Sequence, residues 1–173
     1  MDRKVIMIIP PIEFRDEELF ETKEVIEKAD IEVKIASTVD TQNKCVGMLK
    51  GIVIPDMQLA DIQIEDYDAF VFIGGTGTTI LWNNSIAFKI VQDAVMLNKI
   101  TAAISTAPVI FANAGVIKNK RITVWKGEEN KMIARGGIYT GNRVEYDGTM
   151  ITAKGTESAK QFGRSIVKGL WQL

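Results

Sequence analysis

The sequence predicts an α/β fold, and three observations carry that prediction. Residues 4–10 (KVIMIIP) and 69–73 (AFVFI) are short, unbroken apolar runs, the pattern of parallel strands covered on both faces. Segments with helical apolar spacing lie between runs of this kind. The first 37 residues read strand, helix, strand, which is a βαβ unit.

Taken in order, the first strand leads into residues 17–29, where Leu19, Phe20, Val25 and Ile26 give an amphipathic helix. Residues 31–37 (IEVKIAS) form the next strand. Residues 42–56 contain two short β-like runs around Lys50-Gly51, expected as a hairpin on the edge of the sheet. The strand at 69–73 ends in Gly74-Gly75-Thr76-Gly77-Thr78, and residues 84–97 follow as a helix with Ile86, Phe88, Ile90, Val91, Ala94 and Val95 on its apolar side.

Residues 100–104 are the strand about which the rest is arranged. It turns sharply through Ser105-Thr106-Ala107-Pro108 into an apolar helical pattern that stops at Gly115. Proline suits a first-turn position because its missing N–H would have no partner there, and glycine suits a helix end. A strand running straight into a helix makes an elbow, with Ser105 exposed at its tip, where hydrolase-type folds carry a nucleophile. Beyond it, 121–124 reads as a strand and the polar stretch 127–137 as a loop. Residues 144–146 and 150–153 form a hairpin around Asp147-Gly148, and 158–170 a closing helix with Phe162, Ile166, Val167 and Leu170 on one face. No repeat or linker divides the chain, so residues 1–173 are read as a single domain.

The 173 residues are 46% hydrophobic and 25% charged, with a net charge of -1. That balance gives no general attraction to nucleic acid or to an anionic membrane. No run approaches the roughly 20 apolar residues of a membrane span, and the first residues lack a signal-peptide pattern. A cytoplasmic location is expected. The single cysteine, Cys45, excludes an internal disulfide and lies in an apolar stretch, as a structural cysteine does. There is no histidine. This removes the usual general base, the commonest zinc ligand and every Ser-His-Asp or Cys-His arrangement. No metal and no cofactor is expected.

Four blocks carry a resemblance: EFRDEEL (13–19), FIGGTG (72–77), AAISTAPVIFANAGVIKNKRIT (102–123) and DGTMITAKGTESA (147–159). Through them the chain resembles the ThiJ/PfpI superfamily of intracellular proteases, glyoxalases and parkinsonism-associated relatives. The resemblance implies a flavodoxin-like three-layer sandwich with a mostly parallel central sheet, of the class I glutamine amidotransferase kind. It also implies a homodimer or higher homo-oligomer. Where the family has its nucleophilic cysteine this chain has Ser105, and where many members have histidine it has Thr106. The family's glutamate from the first βα loop falls, by alignment of EFRDEEL, on Arg15. On this reading all three positions have changed and the active site is degenerate.

A serine hydroxyl needs an adjacent base, and no lysine or carboxylate is signalled near Ser105. A non-catalytic protein that binds a small anion, or serves a regulatory or chaperone-like role, is therefore the expectation. The alternatives are a hydrolase or glyoxalase-like enzyme using Ser105, and a structural oligomeric interaction protein. The ligand residues expected are Arg15, Ser105 and the backbone N–H groups of Gly75 and Thr106; the alternative for Arg15 is that it turns to solvent or pairs with Asp16, Glu17 or Glu18. The glycine loop lacks both the Walker A ending and the dinucleotide spacing. Trp82 is expected to wall the pocket or join a subunit contact. Lys118, Lys120, Arg121, Lys126 and Lys131 read as a solvated loop face.

Overall fold

A computed structural model describes residues 2–39 and 42–173. In chain order the elements are β1 (Lys4–Ile8), β2 (Ile12–Phe14), α1 (Asp16–Glu27), β3 (Glu32–Ser37), β4 (Cys45–Gly47), β5 (Ile52–Val53), β6 (Met57–Gln58) and β7 (Ala69–Phe72). Then come α2 (Ser85–Met96), β8 (Ile100–Ile104), α3 (Pro108–Asn113), β9 (Arg121–Ile122), α4 (Glu129–Ala134), β10 (Ile138–Tyr139), β11 (Val144–Asp147), β12 (Met150–Ala153) and α5 (Ala159–Leu170). Seven strands form the central sheet in the order β11-β12-β8-β7-β1-β3-β6. Every neighbouring pair in it is parallel except the β11–β12 hairpin at one edge.

The unbroken apolar strands divide their residues between two cores, because successive side chains leave a strand on opposite faces. Ile6, Ile8, Phe70 and Phe72 pack with Val91 and Phe111 on the α2–α3 face. Val5, Met7, Ile9, Val71, Ile73 and Ile104 pack with Leu19, Ile26, Phe162 and Ile166 on the face covered by α1 and α5. The two covering helices cross closely where Gly163 meets Val25; a Cβ on Gly163 would lie 2.9 Å from that of Val25.

Three expectations are corrected. The hairpin of β4 and β5 does not extend the central sheet, whose edge is β6. It joins β2 in a separate three-stranded sheet. Asp16, at the start of α1, holds it there by accepting from the N–H groups of Leu49 and Gly51, both at 2.7 Å. The stretch expected to be a loop at 127–137 contains α4, whose buried residue is Met132. The strand expected at 121–124 is shorter and pairs in parallel with β10, outside the central sheet.

Candidate functional site

The site lies at the carboxyl ends of the parallel strands, where ligands of open α/β sheets bind. After β8 the chain reverses within four residues, and Pro108 opens α3 as the sequence indicates. Ser105 takes a φ of +64°, a left-handed conformation that costs a non-glycine residue about 1–2 kcal/mol. It is held there from both sides. Its N–H donates to the Ala153 carbonyl at 2.9 Å, and its carbonyl accepts from the Trp125 N–H at 2.8 Å.

The glycine loop after β7 is fitted against the entry to α1. The Arg15 N–H donates to the Gly74 carbonyl at 2.9 Å. The Gly74 N–H in turn donates to Oε2 of Glu18 at 3.0 Å. Gly75 has a φ of +119°, and a Cβ there would fall 2.3 Å from the Glu13 carbonyl oxygen, so only glycine serves. The Thr106 hydroxyl donates to the Gly75 carbonyl at 3.1 Å, tying this loop to the elbow. Among the described residues, the N–H groups of Gly75 and Thr106 donate to no other protein group and remain available to a ligand.

Glu18 is the residue that sequence reasoning missed. Its side chain sits beneath the elbow with the residue only 1% exposed. The Ser105 hydroxyl lies against its carboxyl, and the Thr156 hydroxyl donates to Oε1 at 3.3 Å. Burial pushes this carboxyl up to about 7, against the lowering effect of hydrogen bonds from Ser105, Gly74 and Thr156 and of the Arg15 charge. The expectation that no carboxylate stands beside Ser105 is therefore wrong. The acid that faces the elbow comes from three residues beyond Arg15, one helical turn on. A signal was present: Glu18 falls on the stripe Leu19, Thr22 and Ile26 that α1 buries, an unusual place for an acid.

Arg15 borders the cavity but is engaged by Glu17. Its Nε lies 2.9 Å from Oε2, and its Nη2 donates to Oε1 at 3.2 Å. The ion-pair alternative for Arg15 is thus realised. Trp82 does not wall the cavity; its Nε1 donates to the Thr106 carbonyl at 3.0 Å and its ring packs against Lys131. Trp125 takes the wall position, with its ring laid over Gly155, where a Cβ would come within 3.0 Å of it. Lys126, expected on a solvated loop face, borders the cavity as well.

The cavity has a volume of about 720 Å³ and is open to solvent. Arg15, Gly75, Ser105 and Thr106 all line it, and Glu18 lies at its floor. Among the described residues no cluster of three or more His, Cys, Asp or Glu side chains could hold a metal ion, and Cys45 is buried elsewhere. No helix among them is long and apolar enough to cross a membrane. Chemically, the floor offers a hydroxyl, a carboxyl that exchanges its proton near neutrality, and two free backbone donors.

The DJ-1/PfpI family profile matches residues 3–169. An uncharacterized protein of Methanocaldococcus jannaschii is 38% identical, over 96% of this chain and 82% of its own length. A glutathione-independent glyoxalase of Caenorhabditis elegans is 24% identical, over 97% of this chain and 89% of its own. The crystal structure of a ThiJ/PfpI domain protein from Brachyspira murdochii superposes with a TM-score of 0.96 at 27% identity, covering 100% of this chain and 99% of that one.

Proposed function

The chain belongs to the DJ-1/PfpI family, and from that premise we propose that its elbow cavity binds a small carbonyl compound on which Ser105 and Glu18 act as nucleophile and base. One observation carries the reading: a buried carboxyl with a pKa raised to about 7 lies against the hydroxyl at the tip of the elbow. A serine needs a base beside it, and a base works best when its pKa is near the working pH.

In the first step the Ser105 oxygen bonds to the carbonyl carbon while the hydroxyl proton passes to the Glu18 carboxylate. The carbonyl π pair moves onto its oxygen, where the N–H groups of Gly75 and Thr106 receive the charge. Return of the proton from Glu18 to that oxygen completes a neutral adduct. Such an adduct opens both glyoxalase-like and hydrolase-like routes. The relative described as a glyoxalase supports the carbonyl class. A second reading, binding without turnover, is favoured by the hydroxyl at a position where the family carries a thiol.

The test is consumption of methylglyoxal and hydrolysis of p-nitrophenyl acetate by the parent, Ser105→Ala and Glu18→Gln. The catalytic reading expects turnover that falls at least ~100-fold in either variant and, in the parent, rises with pH through about 7 as Glu18 ionises. Turnover undiminished in Ser105→Ala would overturn it. Carbonyl binding without turnover would leave the second reading.

A further inference from the structure

The Ser105 backbone has two hydrogen-bond partners, and each is followed directly by a lysine. Ala153 accepts from the Ser105 N–H and precedes Lys154; Trp125 donates to the Ser105 carbonyl and precedes Lys126. The pairing that fixes the elbow therefore also brings two cations to the lining of the cavity. Both lysines line it.

Neither lysine makes an ion pair within 4 Å among the described residues, although the charges of both reach half-buried Glu129. This separates them from the other cations at the cavity. Arg15 is engaged by Glu17, and Arg143 lies 3.9 Å from Glu157. The Trp125 ring and Gly155, which has no side chain to fill the space, line the same cavity. The cavity thus combines the hydroxyl and carboxyl of its floor with positive charge on its lining that no ion pair among the described residues engages.

We propose that Lys126 and Lys154 form an anion subsite, and that the compound acted on at Ser105 carries a carboxylate or phosphate at the end remote from its carbonyl. This rests on the preceding reading for the carbonyl end and adds the charge and its place. Ammonium groups on flexible stems act as point charges toward either anion. Their partial exposure makes the preference sensitive to salt.

The experiment uses matched pairs: butanal against succinic semialdehyde for the carboxylate, and glyceraldehyde against glyceraldehyde 3-phosphate for the phosphate. Binding by calorimetry and consumption are measured for the parent, a Lys126→Ala/Lys154→Ala double variant and its Lys→Arg counterpart. Malonate and inorganic phosphate serve as anions without an aldehyde. The expected result is that at least one charged probe binds 10- to 100-fold more tightly than its neutral partner. The double alanine variant reduces that ratio to below about 3, arginine restores it, and the neutral probes are unaffected. Which pair shows the ratio identifies the anion.

Charged and neutral probes handled alike, with both depending on Ser105, would overturn the anion subsite and leave the carbonyl reading standing. Malonate or phosphate binding that is lost with the lysines, alongside aldehydes that react at no detectable rate, would do the reverse. A charge preference that survives the double alanine variant would overturn the assignment to Lys126 and Lys154.

Discussion

The floor and the rim of this cavity are built in opposite ways. At the floor, each group is fixed by another: Gly74 by Glu18 and Arg15, Glu18 by Gly74 and Thr156, and Ser105 by Ala153 and Trp125. At the rim, Lys126 is exposed and Lys154 half-buried, and among the described residues no ion pair holds either ammonium group. Chemistry that requires atoms placed to a fraction of an ångström belongs with the first arrangement. Attraction of a charged ligand, which acts over several ångströms, needs only the second. The difference teaches that substitutions at the floor disturb the fold and the site together, whereas those at the rim act on the ligand alone.

The largest effect is expected where the floor is tightest. A Cβ on Gly77 would fall 1.8 Å from the Ile12 carbonyl oxygen, which is backbone and has no flexible end to move aside. Gly77→Ala must separate the glycine loop from β2 and should destabilise the protein by roughly 3 kcal/mol or more. Urea denaturation checks this. A loss below about 1 kcal/mol would mean that the loop moves freely against β2, and the floor would not be the fixed structure described.

Next comes the stability that Glu18 gives up for its place. Its pKa rises from an ordinary 4.5 to about 7 in the fold, so between those values the folded chain holds a proton that the unfolded chain has released. Stability is therefore fully present below pH 4.5, falls as pH rises toward 7, and is flat above it. The difference is about 3 kcal/mol, at about 1.4 kcal/mol for each pKa unit. Glu18→Gln never ionises. It should match the parent at pH 4 and be more stable by up to about 3 kcal/mol at pH 8, while losing activity. Parallel stability curves for the two proteins from pH 4 to 8 would show that Glu18 is not a raised-pKa group.

How much of this was legible in the sequence differs between the same two regions. The order of the longer strands and helices, the elbow at Ser105 and the glycine turn after β7 were readable, because buried parallel strands and proline and glycine punctuation are local signals. The acid beside the elbow was sought at Arg15, about one helical turn short of Glu18. The segment before α1 contains β2, in which Glu13 adopts a φ of +56° and alters the path of the chain. Matching motif letters cannot show where such a segment delivers the helix. The buried stripe of α1 held the correct answer, but an acid on it reads as a surface residue until the loop it bonds is known. Lys126 and Lys154 were less legible still. They are 28 positions apart, and their neighbours' hydrogen bonds to Ser105 bring them to one cavity.

The smallest expected effect is at the rim, and it completes the comparison. Lys126 is exposed and Lys154 half-buried, and neither is paired within 4 Å among the described residues. Their removal leaves no fully buried acid unpartnered, since Glu129, which feels both charges, is only half-buried and also accepts from the Gly127 N–H. The Lys126→Ala/Lys154→Ala variant should therefore keep the parent's stability to within about 0.5 kcal/mol, the ordinary range for surface substitutions. Its melting temperature without ligand should be nearly that of the parent, and a separation should appear only when a bound anion is added. A loss of 2 kcal/mol or more without ligand would show that the lysines support the elbow through Ala153 and Trp125, and the division between a built floor and an open rim would fail.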